Sequence, residues 1–245
     1  MKSSRWFTTV FAVFAALGLS LVATTPAEAS ARLRPVVIES GAMNATIFGS
    51  AASAAGARAS GAQTAPQASV ARVACVGSQP TVFVTFSAGT AQHMISVIAN
   101  AVTVRTITAK AGSYRTVSIP IKSGAPTWVQ PAIDKVPTGS LWYGIVACSG
   151  NNALVASVYG VDGGCQVSYD FSTKSARSDL TVKADSTSYS DTLFKGDELA
   201  NTVDAAIGIH TVAFTTVDTN GSGKTLKKTA WKNLAPLYFN CSVTG

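Results

Sequence analysis

From Val70 onward, apolar and polar residues alternate with a period of two, in runs rich in Val, Ile and Thr and bounded by Gly, Pro and Asn. Successive side chains of an extended strand point to opposite faces, so runs of this kind form strands with one buried face. Val82, Val84 and Phe86 share one face, Ile95, Val97 and Ala99 another, and Val117, Ile119 and Ile121 a third. Leu141 to Cys148 alternates again. Leu154 to Val161 follows after Ser149-Gly-Asn-Asn152, where Gly and Asn tolerate the positive φ of a hairpin turn. No segment here keeps a helical apolar period for three turns, and the expected class is all-β.

The chain also repeats itself at a spacing of 85 residues. Phe86 to Asn100 lies over Phe171 to Asp185 with 5 identities in 15 positions. A cysteine stands upstream of each stretch, Cys75 and Cys165. An aromatic-rich strand carrying another stands downstream, Leu141 to Cys148 and Leu237 to Cys241. The pattern predicts two tandem β-sandwich domains, 70–161 and 162–245, each burying one face of its strands against a partner sheet. It also predicts one disulfide in each, Cys75 with Cys148 and Cys165 with Cys241. A bond closing about 75 residues removes about 4 kcal/mol of unfolded-chain freedom in the loop-closure account, a substantial aid to so small a domain. The local pair Cys148 and Cys165 is disfavoured, because a hairpin turning at Gly150 to Asn152 sets residues near 153 or 154 opposite Cys148. Metal binding is disfavoured too: no Cys-x-x-Cys occurs, and the two histidines, His93 and His210, lie off ligand spacing.

Residues 1–29 read as an export signal. Lys2 and Arg5 are followed by an apolar stretch from Trp6 to Ala23, then by Ala27-Glu28-Ala29, an Ala-x-Ala cleavage pattern. Export agrees with an even number of cysteines, which pair in oxidising compartments. Residues 30–69 are rich in Ala, Ser and Gly and are expected to form a flexible leader. Two short apolar pieces interrupt it, Pro35 to Ile38 and Ala45 to Phe48. The second repeat has only Ser242 to Gly245 after its last cysteine, where the first has Ala153 to Val161. Its sheet is therefore expected to be one strand short, an edge that either apolar piece of the leader, from the same molecule or a neighbour, could fill. Self-association by strand addition is the corresponding expectation.

Without the signal the chain carries 17 basic and 11 acidic residues, a net charge of +6. Lys224, Lys227, Lys228 and Lys232 form its densest basic cluster, a candidate contact for anionic surfaces such as wall polymers. Lysines at a strand edge also discourage sheet-to-sheet aggregation, which gives the same cluster a purely protective reading. Nucleic-acid readers carry aromatic-interleaved basic motifs or zinc-finger spacings, and neither is present, so nucleic acid is not an expected partner.

Nothing nominates a catalytic centre or a cofactor. There is no Gly-x-Ser-x-Gly elbow; His93 is expected in a loop and His210 within a strand. The carboxylates are scattered, with Glu39, Glu198 and nine aspartates beyond the signal. Asp218-Thr-Asn-Gly-Ser-Gly223 has the first half of a calcium loop, but Thr229 stands where the bidentate acid belongs, and the segment is better turn chemistry. Trp128, Trp142, Trp231 and Tyr143 are the aromatics that a sugar-stacking surface would use. Trp142 and Tyr143 point oppositely along their strand, so at least one of them is expected in a core.

Gly208-Ile-His-Thr-Val-Ala-Phe-Thr-Thr-Val-Asp-Thr-Asn-Gly221 resembles the Gly-x-aromatic-x-Val strand and Asp-x-x-Gly hairpin of bacterial immunoglobulin-like repeats in secreted and surface proteins. Gly112-Ser-Tyr114 stands at a comparable place in the first repeat, and His210 replaces the usual Tyr. The resemblance implies two tandem immunoglobulin-like domains in an extracellular protein with a binding, adhesive or structural role, associated with the cell surface and without catalysis. A cell-wall polymer or an extracellular protein is the partner it suggests. The competing class is a small secreted hydrolase, or an inhibitor of one, with its site on loops.

Overall fold

The computed structural model describes residues 36–40 and 243 as backbone and residues 65–139, 141–226 and 234–242 in full. The expected signal lies outside these, as does Ala45 to Phe48. Among the described residues no helix is long and apolar enough to cross a membrane. Among the described residues the regular structure is all strand, as the alternation predicts. The strands are β1 (Val36–Ser40), β2 (Gln67–Val76), β3 (Gln79–Ser87), β4 (His93–Ala99), β5 (Val102–Ala109), β6 (Tyr114–Pro120), β7 (Thr127–Ile133), β8 (Val136–Pro137) and β9 (Trp142–Cys148). They continue with β10 (Asn152–Val161), β11 (Gly164–Thr173), β12 (Arg177–Ala184), β13 (Thr187–Phe194), β14 (Glu198–Ala206), β15 (Gly208–Thr219) and β16 (Leu237–Val243).

Three sheets are stacked around two cores. A small sheet, β2-β3-β6, covers one face of the long central sheet, β14-β11-β10-β9-β7-β4-β5. The third sheet, β1-β16-β15-β12-β13, covers the opposite face of the central sheet at its other end. Between the first two sheets lie Val82, Val84, Val97, Ile119, Val129, Trp142 and Val146, with Phe86, Ile95 and Ile133 in an adjoining cluster. Between the second two lie Tyr143, Ile145, Leu154, Val167, Tyr169, Phe171, Leu180, Phe214 and Phe239.

The repeat is visible as strand order. In the first half β2-β3-β6 opposes β5-β4-β7-β9; in the second β10-β11-β14 opposes β13-β12-β15-β16. The turn pairing Val76 with Gln79 recurs, 85 residues on, as the pairing of Val161 with Gly164. By this order β10, which the sequence groups with the first half, is the counterpart of β2. It is hydrogen-bonded on both sides, to β9 from Ala153 to Val158 and to β11 along its whole length. The boundary expected between 161 and 162 thus falls in a tight turn, and one sheet runs through it. Gly112 to Tyr114 leads into β6, the counterpart of β14. The strand that corresponds to β15 is β7, so the glycine-aromatic pair of the first half is not the counterpart of Gly208 to His210.

β9 is consequently buried on both faces, and β10 is buried on one and largely half-buried on the other. Trp142, at 2% exposure, enters the first core and Tyr143, at 4%, enters the second. Alternation fixes their opposite directions, and the two covering sheets bury both. The Trp142 indole N–H donates to Ser157 Oγ on β10 at 2.8 Å, which ties the first half's tryptophan to the second half's first strand. Gly144 lies between them: a Cβ there would stand 2.1 Å from the Ala156 carbonyl oxygen and 2.7 Å from Trp142 Cζ2.

The leader departs from its expected flexibility at two places. Its last residues, from Gln67, already belong to β2, and Val36–Ser40 forms β1, paired in parallel with β16 from Val36 opposite Phe239 to Ser40 opposite Val243. Pro35 to Ile38 is one of the two apolar pieces expected to dock on an open edge, and its residues 36–38 open this strand.

Candidate functional site

The four cysteines form the two expected bonds, Cys75–Cys148 and Cys165–Cys241, each with a Cα–Cα distance of 5.7 Å. The β9–β10 hairpin sets Ala153 opposite Cys148, as its turn predicts. The bonds do not occupy equivalent places. Cys75 ends the first strand of its half, whereas Cys165 begins the second strand of its own and pairs with Gly160. Each bond runs to the last strand of its half, β9 or β16.

Of the lysine cluster, Lys224 is exposed in the turn that follows β15; Lys227, Lys228 and Lys232 lie outside the described residues. That turn is built by Asn220, whose Oδ1 accepts from the Ser222 N–H, the Ser222 hydroxyl and the Lys224 N–H. Asp218, the first residue of the calcium-like segment, is turned inward and fully buried. Its carboxylate accepts two bonds from Asn152 Nδ2 at 2.9 and 3.0 Å, one from Ser175 Oγ at 3.0 Å and one from Ser178 Oγ at 2.5 Å. Asn152 Oδ1 in turn accepts from Thr173 Oγ1 at 2.7 Å. A buried carboxylate is tolerated only when its lone pairs are filled, and here neutral donors from β10, β12 and the β11–β12 connection fill them. The knot clamps the start of β10 and the ends of β11 and β15 to the start of β12. Solvent does not reach it, so its chemistry is structural.

Both histidines are held in one arrangement that the sequence reading did not identify. His93 begins β4 rather than lying in a loop, and its Nδ1 is 2.6 Å from Asp134 Oδ2; the Met94 N–H donates to Asp134 Oδ1 at 2.9 Å. In the second half His210 Nδ1 is 2.8 Å from Asp185 Oδ2, and the Thr211 N–H donates to Asp185 Oδ1 at 2.8 Å. Asn100, which the repeat lays over Asp185, accepts from the Trp128 N–H in the same manner. All three acceptors sit in turns with φ between 47° and 50°, a left-handed conformation that Asn and Asp enter more readily than other side chains. The signal in the sequence is the Asn100/Asp185 match itself. Bonds from the histidines and from the strand N–H groups hold the carboxyls of Asp134 and Asp185 below the usual aspartate range.

Of the aromatic candidates, Trp142 and Tyr143 are internal, Trp128 is half-buried against the second core, and Trp231 lies outside the described residues. Tyr143 has a specific task. Its hydroxyl donates to the Tyr238 carbonyl oxygen at 3.1 Å and accepts from the Tyr238 N–H at 3.3 Å, and burial pushes its pKa up. The edge of β16 is therefore closed at Tyr238 by a side chain and from Phe239 to Val243 by β1.

Two surfaces follow from this geometry, the basic turn at Lys224 and the β16 edge under β1. No protein-family model matches the chain, and no curated protein matches it. Among solved structures the chain is similar to the secreted serine protease VesC from Vibrio cholerae, at 12% identity and a TM-score of 0.18, over 64% of this chain and 46% of that one. At that depth the likeness bears on neither fold nor activity.

Proposed function

We propose that the chain is a secreted, non-enzymatic protein of two immunoglobulin-like β-sandwich domains that serves as an extracellular structural or adhesive element. The observation that carries this reading is the unbroken central sheet joining two disulfide-stapled cores through β9 and β10. Such a join resists bending between the halves, which suits an element that bears load or holds a surface at a set distance. The immunoglobulin-like assignment is supported by the strand order, with the first, second and fifth strands of each half opposing the third, fourth, sixth and seventh. Disulfides in both halves accord with an oxidising compartment. The groups with most chemical potential, Asp218, His93 and His210, are each engaged in holding strands or turns together.

The partner that the charge favours is an anionic polymer of the cell wall or an acidic extracellular protein, met by the exposed Lys224 and the lysines that follow it in the chain. The test is retention of the purified chain on isolated cell walls, measured against salt, alongside a broad panel of hydrolase substrates. Retention lost between low and about 0.5 M salt, with no turnover, supports the reading. Turnover of any substrate, or salt-independent capture of a secreted enzyme with loss of that enzyme's activity, would replace it with the hydrolase or inhibitor class.

A further inference from the structure

We infer that β1 is an exchangeable strand, and that the β16 edge is a docking site for the β1 of a second copy of this chain. This goes beyond the proposed function and does not depend on the anionic-surface reading.

The last strand of each half has its outer edge completed by a strand from elsewhere. β9 receives β10, antiparallel and joined to it by a short hairpin. β16 receives β1, whose nearest residue in the chain is almost 200 positions away. Among the described strand pairs β1–β16 alone is parallel, and it is only five residues long. Parallel pairing is slightly weaker per residue than antiparallel, and a short edge strand opens at low cost, so this contact is the most readily released in the sheet. The site itself stays formed when β1 leaves. Tyr143 still holds Tyr238, Cys241 remains bonded to Cys165, and Leu237 and Phe239 remain anchored in the core. Tyr143 also stops the ladder at Tyr238, so an arriving strand cannot pair beyond that residue.

The choice of a second copy follows from chain length. Between β1 and β2 lie 26 residues, 17 of them Ala, Gly or Ser. Fully extended they reach about 90 Å, well beyond the radius of gyration of about 17 Å expected for a compact body of this size. The segment that docks within one molecule can therefore dock on its neighbour, with the same backbone register. Concentration selects between the two: an intramolecular strand competes at an effective concentration near the millimolar range, and crowding at a surface or during folding shifts the balance toward exchange. Each copy then donates one strand and accepts one, giving a reciprocal pair or an open head-to-tail series.

The register supplies the experiment. Ser40 lies opposite Val243, so a chain carrying both Ser40→Cys and Val243→Cys reports pairing within a molecule, and a mixture of the two single variants reports pairing between molecules. At micromolar concentration the double variant is expected to oxidise as a crosslinked monomer. The mixed single variants, held near 1 mM before dilution and oxidation, are expected to give a covalent dimer whose peptide map joins residue 40 to residue 243. That dimer should fall at least tenfold when mixing is done at micromolar concentration. The inference is overturned by an internally crosslinked double variant with no 40–243 dimer from the mixture. It is equally overturned if the mixture gives like-with-like dimers in the same yield, or if the double variant fails to crosslink at all.

Discussion

Asp185 and His210 are joined across 25 residues by a 2.8 Å bond from Nδ1 to Oδ2, while the other oxygen of the same carboxylate takes the Thr211 N–H. The β12–β13 turn is thereby fastened to β15. Asp185→Ala is expected to lower stability by about 1 kcal/mol, since two bonds are lost at a half-exposed site. The pH dependence has a definite sign. The folded-state pKa values of Asp185, Asp134 and Asp179 are lowered, so their stabilisation is full above the unfolded value near 3.8 and is lost as pH falls through the lower folded values. Thermal melts from pH 5 to pH 2 should show wild type losing its advantage over an Asp134→Ala/Asp185→Ala chain only below about pH 4. A gap that stays constant down to pH 2 would contradict this.

Asp170 behaves in the opposite way. Burial, and then the charge of Glu198, raise its pKa, so its ionised form is penalised in the folded state. Asp170→Asn should raise the melting temperature at pH 7, and the gain should disappear near pH 3, where the native carboxyl is protonated. A loss of stability at pH 7 would show that the carboxylate has a favourable partner.

Removing Asp218 leaves Asn152, Ser175 and Ser178 without their acceptor in a dry site. Asp218→Ala is expected to cost about 3–5 kcal/mol in denaturant unfolding. Asp218→Asn, which keeps part of the acceptor capacity, should cost less. Equal small effects, below about 1 kcal/mol, would indicate that water replaces the carboxylate.

Gly144 tests the join between the halves. With 2.1 Å to a backbone oxygen, Gly144→Ala forces β9 and β10 apart or displaces Trp142. The expected readouts are loss of amide protection along the ladder from Ala153 to Val158 and a red-shifted Trp142 emission, with both disulfides intact. An unchanged exchange pattern would mean that the strands separate easily and that the sheet is not continuous in solution.

Opening Cys75–Cys148 or Cys165–Cys241 by paired Ser substitution should cost about 2–4 kcal/mol in each case, by the freedom returned to loops of 73 and 76 residues. A non-reducing peptide map checks the pairing directly.

Much of this fold could be read along the chain because it is local. Alternation locates strands such as Gln79–Ser87, the 149–152 turn sets Ala153 opposite Cys148, and the 85-residue match points to the pairing of the cysteines. What escaped depends on partners far apart in sequence. Period two places Trp142 and Tyr143 on opposite faces, but only a second covering sheet, contributed by β12, β13, β15 and β16, makes both of them core. Asp218 reads as turn chemistry because its donors lie 40 to 66 residues away. Val36 to Ile38 shows its apolar character in sequence, whereas its partner, β16, is set by the edge left open at the far end of the fold. Val102 and Val104, which follow Ala99, are exposed because they lie in β5, an outer strand of the central sheet of which only the far end, Ile107 and Ala109, packs against a core.

The shared strand β10 also decides how the two halves move. Modules strung on a peptide linker pivot like beads, and their separation fluctuates with every twist of the connector. Here the connector is a hydrogen-bonded strand with a core on each side, so it has no swivel. Turning one half against the other would require breaking the backbone bonds that β10 makes to β9 and β11.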